Sequence, residues 1–310
     1  MTSPVIWTPG GFNFYDTAQM RLYMQSVHDT FIALGLTQTG DSGQLDISTA
    51  VAQSGTVGAR YNYTYLPLLY KWQGVDGYPD LYIYLAFNIS NRFSTNVANI
   101  PSIQVAIGRS TTGTGGLTSG TFLWAQPNVT DLQSGYGYLD DNLGGVAAVG
   151  DDFLTFCCNP GRHSNFISGS QYPHTWGVPF FAVQRQKNGS FHTTQVVLTQ
   201  DIRNAALPTA TAPINILSMR GSTASTLNPA CAFVNAPVQF AGDPVIQKFY
   251  RFDASLPTAE FTPMIAVPSS YQYGSSIEID GKGYTSCGPG VGARISSTIA
   301  NTWYPAIRTV

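Results

Sequence analysis

Only one stretch of this chain carries a helical period, and it comes near the start. Met20, Tyr23, Met24, Val27, Phe31 and Leu34 recur at intervals of three or four residues, which places them on one face of a helix. Asp16 stands just before the run, where its carboxylate can accept from the free N–H groups of a first turn. Gly35 stands just after it, suited to the left-handed position that ends a helix, and Leu36 can fold back on the last turn. The spacing predicts a helix over residues 17–34. No comparable period follows, so whatever this helix packs against must be built from strands.

The rest of the chain reads as strands and turns. Residues 61–70 and 81–89 are rich in aromatic and β-branched side chains. Val75-Asp76-Gly77-Tyr78-Pro79 lies between them, which predicts a hairpin. Residues 102–108 form another short strand and run into a Ser/Thr/Gly loop over 109–120. Residues 180–187 and 190–198 flank Asn188-Gly189, a two-residue turn signal that calls for φ > 0 at both positions. Residues 275–279 and 283–286 flank Asp280-Gly281-Lys282. The expected fold is therefore α+β, mostly β, with antiparallel sheets and one main N-terminal amphipathic helix. The expected organisation is an N-terminal arm over 1–15, a helix-plus-sheet domain over 16–205, and a C-terminal β region over 206–310. The Pro/Ala/Thr stretch 207–213 suits a boundary, and equally a loop within one domain.

Composition narrows the function. Hydrophobic residues make up 43% of the 310, enough for a sizeable core, while charged residues are only 10%, against about 25% in an average soluble protein. Covering a surface built from Ser, Thr, Asn and Gln costs less desolvation than covering a charged one, so low charge favours contact with other proteins. The net charge is −2, with four Lys to eleven Arg and two Glu to fifteen Asp. No basic patch marks a nucleic-acid partner. No run approaches the ~20 apolar residues of a membrane helix, and the N-terminal residues lack the basic and apolar regions of a secretory signal. Synthesis in a cytoplasm is the expectation. Cys157, Cys158, Cys231 and Cys287, which follow no disulfide-framework spacing, are then expected as thiols.

Candidate chemistry is thin. Gly40-Asp41-Ser42-Gly43 matches the surroundings of a protease serine, but only His28 precedes it and no His follows His192, so a turn after the helix is the better reading. Cys157 and Cys158 would point to opposite faces of a strand, and with His163 and His174 they fit no common zinc spacing. Asp140-Asp141 and Asp151-Asp152 flank Gly144-Gly145-Val146. Two carboxylates could serve a glycan hydrolase, yet Asp pairs beside glycines usually cap loops. The glycines of 113–116 and 288–292 lack the lysine and the strand-to-helix setting of a phosphate loop. No catalytic, cofactor or metal site is assigned, and an enzyme is not expected.

A resemblance points further. The helix runs into Gly35-Leu36-Thr37-Gln38-Thr39 and then Asp41-Ser42-Gly43-Gln44-Leu45. An aromatic strand with Pro67-Leu68 follows, then Leu81-Tyr82-Ile83-Tyr84-Leu85, Pro101 through Gly108, and the Thr/Gly loop. This order resembles the N-terminal part of virion structural proteins of tailed bacteriophages. Ile277-Glu278-Ile279-Asp280-Gly281-Lys282-Gly283-Tyr284 is similar to their C-terminal segment. About a third of the chain is covered, and the pattern carries no functional motif. Thr8-Pro9-Gly10-Gly11-Phe12 departs from it as an added arm. The resemblance implies a component of the tail, baseplate or neck, located in the virion, with itself and other virion proteins as partners. A receptor- or carbohydrate-binding module of the tail, contacting a host surface glycan, is the alternative.

The arm itself supplies the candidate contact residues. Val5, Ile6, Trp7, Phe12 and Phe14 put five large apolar side chains into residues 1–15. Burying each is worth roughly 1.5–3 kcal/mol. Either the parent domain or a neighbouring subunit must cover them, and a homo-oligomer in which they touch the neighbour is the expectation.

Overall fold

The computed structural model describes residues 5–7, 12–13, 16–52, 62–90, 100–118, 120–123, 138–139, 144–159, 180–196, 239–240, 243–244, 246–253, 256–268, 271, 274–286 and 303–310. The chain opens with β1 (Val5–Trp7), β2 (Phe12–Asn13) and α1 (Thr17–Ala33), then β3 (Thr37–Gln38), β4 (Asn62–Thr64), β5 (Leu68–Trp72) and β6 (Leu81–Ser90). It continues through β7 (Ile100–Gly108), β8 (Gly120–Leu123), β9 (Tyr138–Leu139), β10 (Gly144–Val149), β11 (Phe153–Asn159), β12 (Phe180–Arg185) and β13 (Phe191–Val196). The last part contains β14 (Gln239–Phe240), β15 (Asp243–Pro244), β16 (Gln247–Asp253), β17 (Leu256–Pro268), β18 (Ser276–Ile279), β19 (Lys282–Ser286) and β20 (Trp303–Arg308). The fold is α+β and mostly β, with a single helix among the described residues, near the N-terminus.

The helix forms for the reasons legible in its sequence. Asp16 Oδ1 accepts from the N–H of Ala18 at 2.8 Å and of Gln19 at 3.2 Å. At the other end Gly35 takes φ +84°. The Leu36 N–H reaches Phe31 O and the Gly35 N–H reaches Ile32 O, the paired bonds of a Schellman end. Met20, Tyr23, Met24, Val27 and Phe31 are buried, as is Leu34 just past the last turn.

Three larger antiparallel sheets accompany this helix among the described residues. The first has the order β1-β10-β11-β12-β13, the second β3-β5-β6-β7-β8 with β4 beside β6, and the third β16-β17-β20-β19-β18. Residues 61–70 and 81–89 do pair, through Leu68↔Leu85 to Trp72↔Leu81 and Asn62↔Ser90 to Thr64↔Asn88. Alternation along the strands decides which side chains meet. From the second sheet Leu68, Tyr70, Trp72, Ile83, Leu85 and Val105 join the helix residues in one core. From the first sheet Leu154, Phe156 and Val183 close it, with the Phe31 ring 4.9 Å from Tyr70 and 5.4 Å from Phe156. The neighbours of those residues face the other way. The Thr155 hydroxyl donates to Arg308 O at 2.9 Å, and Gln184 Nε2 donates to Thr262 Oγ1 at 3.2 Å. The first sheet is thus the middle layer, with the helix and second sheet on one face and the third sheet on the other.

Two hairpin turns depart from the expected chemistry. At Asn188-Gly189 only the glycine has positive φ, at +86°. The Gly189 N–H bonds Gln186 O and the Gln186 N–H bonds Ser190 O, so the connection is a three-residue loop with a left-handed glycine. Asn188 contributes its side chain instead, accepting from the Ser190 N–H and hydroxyl. Asp280 and Gly281 have φ +51° and +69°, and Ile279 pairs with Lys282. That is the two-residue turn, and Lys282 belongs to the strand. In β17 the register shifts opposite Lys248/Phe249 and Arg251/Phe252. Pro263 and Pro257 lie at those irregularities, where a missing N–H is tolerated.

Candidate functional site

Of the two N-terminal strands, β1 lies at a rim of the middle sheet, and β2 belongs to a separate two-stranded sheet. β1 pairs antiparallel with β10, matching Val5 to Ala147, Ile6 to Val146 and Trp7 to Gly145. β2 pairs antiparallel with β9, matching Phe12 to Leu139 and Asn13 to Tyr138. The two ladders run in the same sense and are one residue out of step. Both strands lie beside α1. Of the five expected contact residues, Val5, Ile6, Trp7 and Phe12 sit on these ladders, and Phe14 lies outside the described residues. Among the described residues β1 is a terminal strand of its sheet.

Two loops singled out in the sequence come together elsewhere. The loop of residues 40–43 docks on residues 109–118. The Ser42 N–H donates to Gly113 O at 3.1 Å, and the Ser42 hydroxyl is 3.3 Å from the same oxygen. Burial pushes the Asp41 carboxyl up, but the Thr111 and Thr39 hydroxyls and the N–H groups of Gly113 and Gly115 outweigh it and hold it below the usual range. The backbones approach so closely that a Cβ on Gly115, already at φ +83°, would lie 2.8 Å from Gly43 O. Ser42 is therefore held as part of a loop clasp. His28, the only upstream histidine, is bonded to Tyr70 in the core, with Nδ1 2.8 Å from the hydroxyl.

Asp151 and Asp152 form the turn between β10 and β11, and they grip Arg185. Arg185 is 2% exposed. Its Nε donates to Asp151 O at 2.6 Å, and one terminal nitrogen reaches Gln73 O at 2.9 Å and Pro79 O at 2.8 Å. The guanidinium lies 3.9 Å from the centre of the Trp72 ring. Burial pushes its pKa down to about 10, with Asp151 and Asp80 working against that shift, so it stays charged at neutral pH. The Asp152 carboxylate faces Arg308 at 3.4 Å. Sequence reading passed over Arg185. Its signal was a cation two residues after Val183, on the same inward face of the strand.

Asp140, Asp141, His163, His174, Cys231, Cys287, the glycines of 288–292 and the stretch 207–213 lie outside the described residues. Cys157 and Cys158 are consecutive on β11, opposite Val146 and Gly145. Among the described residues no group of three or more His, Cys, Asp or Glu is placed to hold a metal ion. No helix among them is long and apolar enough to cross a membrane. No protein-family model, curated protein or solved structure matches the chain.

Proposed function

We propose that the chain is a virion structural protein of the tailed-phage type, a repeated subunit of the tail, baseplate or neck that binds copies of itself and other virion proteins. The observation that supports this best is the rim of the middle sheet. The N-terminal segment supplies a short strand there that is terminal among the described residues, on a chain whose charged content is only 10%. Sheet rims are where one chain can contribute a strand to another, and a weakly charged surface is cheap to cover. The order of motifs in residues 15–120 points the same way.

The test is composition of the particle. Mass spectrometry of purified virions from the source culture should find this chain at a fixed copy ratio to the other structural proteins, and the purified chain should scatter light as a defined oligomer. Its absence from the particles would refute the proposal.

A further inference from the structure

We infer that β1 is an exchangeable strand, and that in the assembled state it covers β10 of a second copy of this chain rather than its own. This rests on the reading of the chain as an assembly subunit.

The argument begins with β10. An uncovered strand at a sheet rim pairs with any strand offered to it, so proteins guard such strands with Lys, Pro, bulges or very short lengths. β10 reads Gly-Gly-Val-Ala-Ala-Val, with no charge and no proline. It pairs with β11 without a register shift from Gly144↔Asn159 to Val149↔Leu154. Val146, Ala147 and Ala148 are buried. Such a strand is suited to permanent cover, and β1 is the strand that covers it.

β1 has the opposite character. It is three residues long, and Pro4 and Pro9 bracket it in the sequence. Proline cannot donate to a further ladder, so growth of the sheet beyond β1 is discouraged. Two copies are therefore poorly served by simple edge-to-edge addition at this rim. Exchange avoids the difficulty. A neighbour's β1 can make the same ladder in the same register, so the hydrogen bonds lost within a chain are regained between chains. The balance is then set by subunit concentration and by whatever new contacts the connecting segment makes. The sequence supplies a place to redirect the chain: Pro9-Gly10-Gly11 lies between β1 and β2, and β2 holds only two ladder pairs before the Asp16 cap fixes the start of α1.

Isotope-mixed crosslinking of the full chain tests this. The variant Val5→Cys/Ala147→Cys places two cysteines directly opposite on the β1–β10 ladder, where antiparallel partners lie within disulfide reach. Equal amounts of light and heavy-nitrogen chains are dissociated, reassembled together, oxidised and digested, and the peptides joining positions 5 and 147 are weighed. Exchange predicts that about half of these joined pairs carry one light and one heavy partner, as random choice of partner requires. An oligomer by light scattering with only like-mass pairs would overturn the exchange and leave the assembly reading standing. A chain that stays monomeric at every concentration, with only like-mass pairs, would overturn self-assembly itself. Ile6→Cys/Val146→Cys, the next pair on the same ladder, gives the same readout if the first variant fails to fold.

Discussion

His28 and Tyr70 share one hydrogen bond in the core, and its polarity depends on pH. Tyr70 is fully buried, and burial raises its hydroxyl well above the ordinary value, so the phenol keeps its proton; it donates to Nδ1 in one neutral His28 tautomer and accepts from Nδ1–H in the other. Burial lowers the His28 pKa below 6.5, with Asp29 opposing in part. The unfolded chain therefore takes up this proton first. The contribution of His28 to stability is complete above about pH 6.5. It is lost as pH falls through the lower folded-state value. Melting temperature should drop between pH 7 and pH 5, and the drop should be smaller in His28→Gln; an equal drop in both would contradict the assignment. Arg185 poses a different problem, because its partners are backbone carbonyls rather than a carboxylate. Arg185→Met would strip buried acceptors of their donors and remove the stacking on Trp72. A loss of about 3 kcal/mol or more in denaturant unfolding is expected, since each hydrogen bond from a charged group is worth roughly 1.5–3 kcal/mol. Arg185→Lys should recover only part of it, because a single ammonium cannot span the same carbonyls.

At the scale of elements, the turns show how one dipeptide can serve different geometries. Asn188-Gly189 and Asp280-Gly281 look alike in sequence, yet only the second has both residues left-handed. The side-chain bonds from Ser190 hold Asn188 in the other conformation. Gly189→Val should cost about 1–2 kcal/mol, the strain of a β-branched residue at positive φ. Nothing lies within 4 Å of its added Cβ, so that cost is of the backbone alone. Asn188→Gly separates the two turn types. If Asn188 were left-handed the change would be neutral or stabilising; in the observed turn it should cost about 1 kcal/mol, through lost side-chain bonds and added chain entropy. Thermal melts of both variants decide the matter.

For the whole molecule, the C-terminal strand holds the outer layer in place. β20 lies between β17 and β19, and Ala306 and Ile307 are fully buried. Arg308 stacks 4.2 Å from the Phe153 ring and faces Asp152, while its carbonyl accepts from Thr155. Removing residues 303–310 would therefore split the third sheet and cut its tie to the middle one. Hydrogen exchange should show loss of protection across β17 and β19, with α1, β5 and β6 still protected. Retained protection in β17 and β19 would show that the third sheet stands without its central strand.

The helix, its two ends, the hairpin of β5 and β6 and the predominance of strands were all legible in the sequence, because each depends on local period, capping or turn chemistry. Which strands share a sheet was not, because pairing across more than a hundred residues leaves no mark in either strand alone. Arg185 is an example: nothing near it in the chain announces that Trp72, Gln73 and Pro79 will meet it. The N-terminal segment is another. Its five large apolar residues showed that it must be covered, since leaving them in water costs too much. Only the tertiary structure decided that Val5, Ile6 and Trp7 lie along β10, because that choice depends on a rim assembled from residues far along the chain.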